Sequence, residues 1–336
     1  MKLRRLWRVA LTLLLVMANP VGAQSTKPVR IIVAFAAGGP VDAMARTIAE
    51  PLSRALGRTV LVENRPGASG ALGANEVLRA EPDGSTVWLT SVGAVAINPA
   101  LYPKLSYNMV RDFVPVSLVD KDGRMLAMRF SLVANNVELF VANARHPAKD
   151  AIEFMEHARK SQSSMPIASS GKGSIPHLAL LQWEQSTGVD LLHVPYNGMA
   201  PALNDLFGGQ VAGAFADVPA VMGHVRSGRL KALGIASKTR HPLLPEVKTF
   251  EEQGFKAVDT NNWYGLFASA KTPPDLIRQL QRAVQTAVAD PVANAKITQS
   301  GAEPKSSTPE ELGQLLKQDA DKWAHLIRTR NITGEE

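Results

Sequence analysis

The sequence predicts an α/β fold built on parallel sheet, and three observations carry that expectation. Strand-like and helix-like runs alternate along the chain. Near the start, the β-branched run 29–33 is broken by Gly38-Gly39-Pro40, and an amphipathic helical pattern follows. The middle of the chain repeats that design: a short strand at 165–168, a small-residue turn at 169–174 and a helix at 176–187.

In the first helical pattern Val41, Met44, Ala45, Ile48, Leu52, Ala55 and Leu56 recur at i, i+3, i+4 spacing, with Pro51 placed to kink it. Residues 59–63 read as the next strand, 68–80 as a small-residue helix and 86–90 as a strand after the turn Pro82-Asp83-Gly84. Pro176 falls near a helix start, where proline is tolerated. Residues 189–194 and 211–215 read as further strands. The C-terminal part is helical. Thr272 is the expected cap of one helix, and Thr308-Pro309-Glu310-Glu311 is a capping box for the last.

A strand entering a glycine turn and then a helix aims backbone N–H groups at one point, where the helix dipole adds positive charge. Such a tip is an anion site that needs no charged side chain. The chain has two, at Gly38-Gly39 and at Gly171–Gly173, with Ser169, Ser170 and Ser174 as extra hydroxyl donors. In open α/β folds these turns lie at the carboxyl edge of the sheet, where ligands bind. Asp42 reads either as a first-turn carboxylate favoured by the dipole or as a holder of a ligand amine or water. Asp217 reads either as a turn residue before Pro219 or as a cleft residue.

Composition narrows the function. Lys2, Arg4, Arg5 and Arg8, the apolar run 9–17 and Val21-Gly22-Ala23 form the three parts of an export signal, with cleavage after Ala23. The full chain has 37 basic and 30 acidic residues; losing those four basic residues lowers the balance from +7 to +3. No basic stripe interleaved with aromatics remains, so nucleic acid is not an expected partner. With no cysteine there are no disulfides, thiolate metal sites or cysteine nucleophiles. The seven histidines show no metal-ligand spacing, and neither a metal nor a cofactor is expected.

Enzyme motifs fail on spacing. Gly67, Gly70 and Gly73 lack the dinucleotide pattern, and Gly171-Lys172-Gly173-Ser174 lacks the distal glycine of a phosphate loop, whose place Pro166 takes. No G-x-S-x-G elbow is present. Ser174 and His177, three apart, are the residues a serine hydrolase would use, with Asp217 as the acid. The simpler reading is that Ser174 caps the helix and His177 lines a polar cleft or packs beneath it.

The ordered motifs resemble the Bug family, periplasmic solute-binding proteins of tripartite tricarboxylate transporters. The resemblance rests on 33–42 followed by Ala45-Arg46, on 62–70 (VENRPGASG), Pro82-Asp83-Gly84, 112–116, 169–174, 193–198, 200–203, 206–211, 301–304 and 308–311. It spans nearly the whole mature chain. Ala36-Ala37 depart from the family's proline-containing loop, and 121–136 is longer than its pattern, with 125–133 apolar enough for a strand or hairpin near the interlobe crossing.

The resemblance implies a type II periplasmic binding protein fold: two α/β lobes with a ligand cleft between them. Residues 1–23 would be the signal peptide, 24–124 with 258–336 one lobe, and 125–257 the other. It implies a non-catalytic monomer that captures a small organic carboxylate, or a related polar solute, for inner-membrane transporter subunits. A ligand sensor for a signalling partner is the alternative within the same fold. One jaw would comprise Phe35, Ala37, Gly38, Gly39 and Asp42. The other would comprise Ser169, Ser170, Gly171, Gly173, Ser174 and His177. Ser91, Gly93, Asn197, Gly198, Met199, Ala200 and Asp217 would add contacts. Charge-assisted bonds to a carboxylate contribute about 1.5–3 kcal/mol each, so a few suffice for micromolar affinity.

Overall fold

The computed structural model describes residues 27–67, 70–113, 131–196, 198–307 and 309–334. The export signal, residues 121–130 of the longer segment, Asn197 and Thr308 lie outside them. In the first lobe, β1 (Val29–Val33) feeds α1 (Pro40–Leu56), β2 (Val60–Asn64) feeds α2 (Ala71–Arg79), and β3 (Thr86–Ser91) feeds a π-helical turn (Gly93–Ile97) and α3 (Asn98–Leu101). Buried Val41, Met44, Ala45, Ile48, Leu52 and Leu56 give α1 its core-facing stripe. The helix runs through Pro51 and ends at Gly57 in the left-handed region.

β4 (Ser131–Asn143) crosses into the second lobe and leads there to α4 (Ala151–Lys160), β5 (Pro166–Ser169) and α5 (Ile175–Thr187). Next come β6 (Leu192–Pro195), α6 (Met199–Gly208), β7 (Gly213–Asp217), α7 (Val218–Arg226) and β8 (Leu230–Ile235). β9 (Asn261–Phe267) returns to the first lobe, followed by α8 (Pro274–Ala289), α9 (Pro291–Ser300), β10 (Glu303–Pro304) and α10 (Pro309–Thr329). Pro273, not Thr272, occupies the cap position of α8, and no side chain caps it. Thr272 sits one residue too early and instead donates its N–H to the Ser269 carbonyl at 2.9 Å.

The described strands form one sheet in the order β2-β1-β3-β9-β4-β7-β5-β6, with β8 and β10 also pairing β4. Pairing is parallel around β1 and β5, as the sequence predicts. It is antiparallel wherever β4 or β9 takes part, so the whole sheet is mixed. β4 is the crossing element. Its residues 131–137 pair with β9, and 138–143 pair with β7 and β8.

Each lobe has its own aromatic core. Trp88 packs on Phe113 and Tyr107 in the first, with centroids 5.0 and 5.5 Å apart. Phe140 packs on Phe154 and Trp183 in the second, both at 4.8 Å. Among the described residues no helix is long and apolar enough to cross a membrane.

Candidate functional site

The first tip lies between β1 and α1. Phe35 packs partly into the core, while Ala37 and Gly38 are exposed. Gly38 has φ +83°, a left-handed value that favours glycine. Asp42 is buried and holds this loop. Its Oδ2 accepts the Gly38 N–H at 2.9 Å and Arg46 Nε at 3.0 Å, and its Oδ1 accepts Asn64 Nδ2 at 2.9 Å. Asn64 Nδ2 also reaches the Phe35 carbonyl at 3.0 Å. Burial alone would raise the Asp42 pKa; the bonds from Arg46, Gly38 and Asn64 outweigh it and lower the value. Asp42 is thus a clamp for the loop.

The second tip, between β5 and α5, is built likewise. Ser174 occupies the cap position of α5. Its Oγ accepts the His177 N–H at 3.4 Å and donates to the Gly171 carbonyl at 2.7 Å. Buried Ser169 donates to or accepts from His193 Nε2 at 2.7 Å, and its Oγ accepts the Gly171 N–H at 3.2 Å. His177 Nδ1 accepts the Gly173 N–H at 2.9 Å. Gly173 also marks a close approach of the lobes, because a Cβ there would collide with Leu101 of α3. The Ser170 carbonyl accepts the Gly198 N–H at 3.2 Å, which brings the start of α6, with Met199 and Ala200, alongside the tip.

These bonds redistribute the roles of the glycines. The N–H groups of Gly38, Gly171 and Gly173 are spent inside their own turns, so these glycines shape the tips. The first helical turns add N–H groups that intrahelical pairing leaves over, those of Val41 and Asp42 in α1 and of Ile175 in α5. The Ser174 hydroxyl and the His177 ring are each bonded to backbone, which is the capping arrangement rather than a nucleophile–base pair.

Ser91 ends β3, and Gly93 begins the π-helical turn after it. Ser91 stands opposite Tyr264 of β9, and Tyr264 Oη donates to Asp217 Oδ2 at 3.2 Å. Asn262 Nδ2 donates to Asp217 Oδ1 at 2.7 Å. Asp217 is therefore joined across the crossing strands to the first lobe. Burial raises its pKa, against the bonds from Asn262 and Tyr264. Sequence reasoning did not single out Asn64 and His193, which the structure ties to the tips, or Asn136, Glu138, Asn262 and Tyr264, which it sets beside Asp217 on the crossing strands. One signal was available: Glu138 is a lone acid inside the apolar strand run 137–141.

Two α/β lobes, each with a glycine-turned helix tip at the carboxyl end of its parallel strands and joined by crossing strands, define a periplasmic solute-binding receptor. The chain belongs to the tripartite tricarboxylate transporter family receptors, TctC, whose model matches residues 44–332. Among solved structures it is similar to the periplasmic binding protein BugD, at 32% identity, 92% coverage of this chain and 99% of that one, and TM-score 0.79. MatC from Rhodopseudomonas palustris, solved with bound malate, is 31% identical, with 89% and 98% coverage and TM-score 0.76. An R. palustris protein solved with adipate is 27% identical, with 92% and 99% coverage and TM-score 0.82.

Proposed function

We propose that the protein captures a small organic carboxylate in the periplasm and delivers it to inner-membrane subunits of a tripartite tricarboxylate-type transporter. It acts as a monomer, without catalysis, after its export signal is cleaved behind Ala23. Residues 24–124 with 258–336 form one jaw and 125–257 the other. The ligand carboxylate lies between the tips at Phe35–Asp42 and Ser169–His177, with Ser91, Gly93, Asn197 to Ala200 and Asp217 around it.

The observation that carries this reading is the duplicated tip. β1 and β5 each run into a helix start held in shape by its own buried acceptors, Asp42 in one lobe and Ser169 with His177 in the other. Such a start presents positive potential at fixed positions, with little reorganisation on binding. The malate and adipate of the similar structures are acids of the class such tips attract. Closure of the lobes excludes water and strengthens each bond to the anion. Binding of an ester substrate for hydrolysis finds no support in the Ser174 contacts, both of which are to backbone.

Calorimetric titration of the purified protein with a panel of mono- and dicarboxylates tests the assignment. At least one acid is expected to bind with micromolar affinity. Failure of every acid, with folding verified by circular dichroism, would refute it.

A further inference from the structure

The crossing strands carry a polar row that the helix tips leave unused. Register sets Ser91 opposite Tyr264, Asn262 opposite Asn136, and Glu138 opposite Asp217. Opposed residues project to the same side of a sheet, and residues two apart on one strand do too. The six side chains therefore form one row on one face. It runs from the carboxyl end of β3 in the first lobe to the carboxyl end of β7 in the second. Both tips also lie at carboxyl ends of parallel strands, so this row is the floor that joins the jaws.

The floor is rich in buried oxygen. Glu138 is 0% exposed and Asn136 1%. Asn136 has neither Oδ1 nor Nδ2 bonded, and Asn262 Oδ1 is unbonded as well. Asp217, already held by Asn262 and Tyr264, keeps part of its surface accessible. Burial first, and then the neighbouring Asp217, keep the Glu138 carboxyl protonated well above its ordinary range. Tyr264 is the further titratable group touching the pair, from β9.

We propose that this floor seats the ammonium group of a zwitterionic amino acid whose carboxylate lies at the helix tips, which presupposes the carboxylate site described above. An ammonium has three donors and no acceptor. The oxygens of Glu138, Asn136 and Asn262 supply three acceptors without disturbing the bonds to Asp217. The cation takes over as the neutralising charge from the proton that burial leaves on Glu138, and that proton passes to solvent. A dicarboxylate would instead place a second negative charge against two buried acids, an unfavourable arrangement at low dielectric. Floor and tips together thus select the far end of the ligand as well as its carboxylate.

Calorimetry with chain-matched series provides the test: glycine, β-alanine, 4-aminobutanoate and 5-aminopentanoate against the unsubstituted acids and the dicarboxylates of equal length. At the best chain length the amino acid is expected to bind at least tenfold more tightly than its dicarboxylate and its unsubstituted counterpart. Titration in buffers of different ionisation enthalpy is expected to show net proton release on binding. Glu138→Gln is expected to collapse the preference for the amino acid. Asn136→Ala, which removes no charge, is expected to reduce it several-fold and serves if the first variant does not fold. Equal or tighter binding of dicarboxylates by the unaltered protein would overturn the ammonium site and leave the carboxylate receptor standing. A preference that survives both substitutions would also overturn it. Failure of every acid to bind would remove both.

Discussion

The imidazoles of His177 and His193 lie face to face under the second tip, with centroids 3.8 Å apart and planes 11° from parallel. Each ring also supports the turn: His177 through Gly173 and His193 through Ser169. Two imidazolium ions could not stack this way without strong repulsion. Burial, then the neighbouring His193, then Lys172 push His177 down to about 3. Burial and Lys172 push His193 down to about 4.

Both rings are thus neutral in the folded protein, and the sign of their pH effect follows. Their folded values lie below the ordinary value of about 6.5, so the unfolded chain takes up protons that the folded one refuses. Their contribution to stability is complete above about pH 6.5 and falls as pH drops towards 4. NMR titration should find neither ring protonating between pH 8 and 5; a ring titrating near 6.5 would contradict the stacked, neutral pair.

Removing the Asp42 clamp should loosen the first tip. Asp42→Ala strips an acceptor from Gly38, Arg46 and Asn64 at once. The expected cost is about 1–3 kcal/mol of stability, with ligand affinity reduced at least tenfold. The folded pKa of Asp42 is lowered, so its contribution is present above the ordinary carboxylate range and fades as pH falls through the folded value. Chemical denaturation at pH 7 and pH 3 measures this, and an equal loss at both would argue against the clamp.

The two tips should respond differently to bulk. Gly39 has φ −77°, and a Cβ would stand 3.4 Å from the Ala36 carbonyl, an ordinary contact. Gly39→Val should therefore abolish binding with little change in melting temperature. Gly171 has φ +138°, so Gly171→Val adds backbone strain of about 1–3 kcal/mol to the same loss of binding. Full affinity in both variants would refute the site assignment.

Ser174→Ala should behave as the loss of a cap. It should cost about 1 kcal/mol, near 2–4 °C in melting temperature for a lobe of this size. Any ester turnover by the preparation should be unchanged. Turnover abolished by this substitution would revive a hydrolase.

Arg330, just past α10, donates to Glu184 Oε2 on α5 at 2.9 Å and so ties the C-terminal segment to the second lobe. Burial raises the Glu184 pKa, with the Leu191 N–H and Arg330 opposing it. Arg330→Ala should cost about 1–2 kcal/mol by leaving a buried acid short of its partner. Small-angle scattering should show a more open ligand-free protein. An unchanged radius of gyration would mean that the pair does not govern closure.

What the sequence determined by itself was local. Alternating periodicity set the α/β class, the glycines set both tips, and Ser174 set the start of α5, because these effects act within a few residues along the chain. The same reach explains the misplacement of the α8 cap by one residue at Thr272, where Pro273 changed the local geometry. Only the tertiary structure decided that Asp42 bonds Asn64, that His193 stacks on His177, and that Glu138 meets Asp217. Those contacts join segments far apart in sequence, and they depend on strand register. A shift of one residue in β4 would turn Asn136 and Glu138 to the opposite face and dismantle the polar row on the crossing strands.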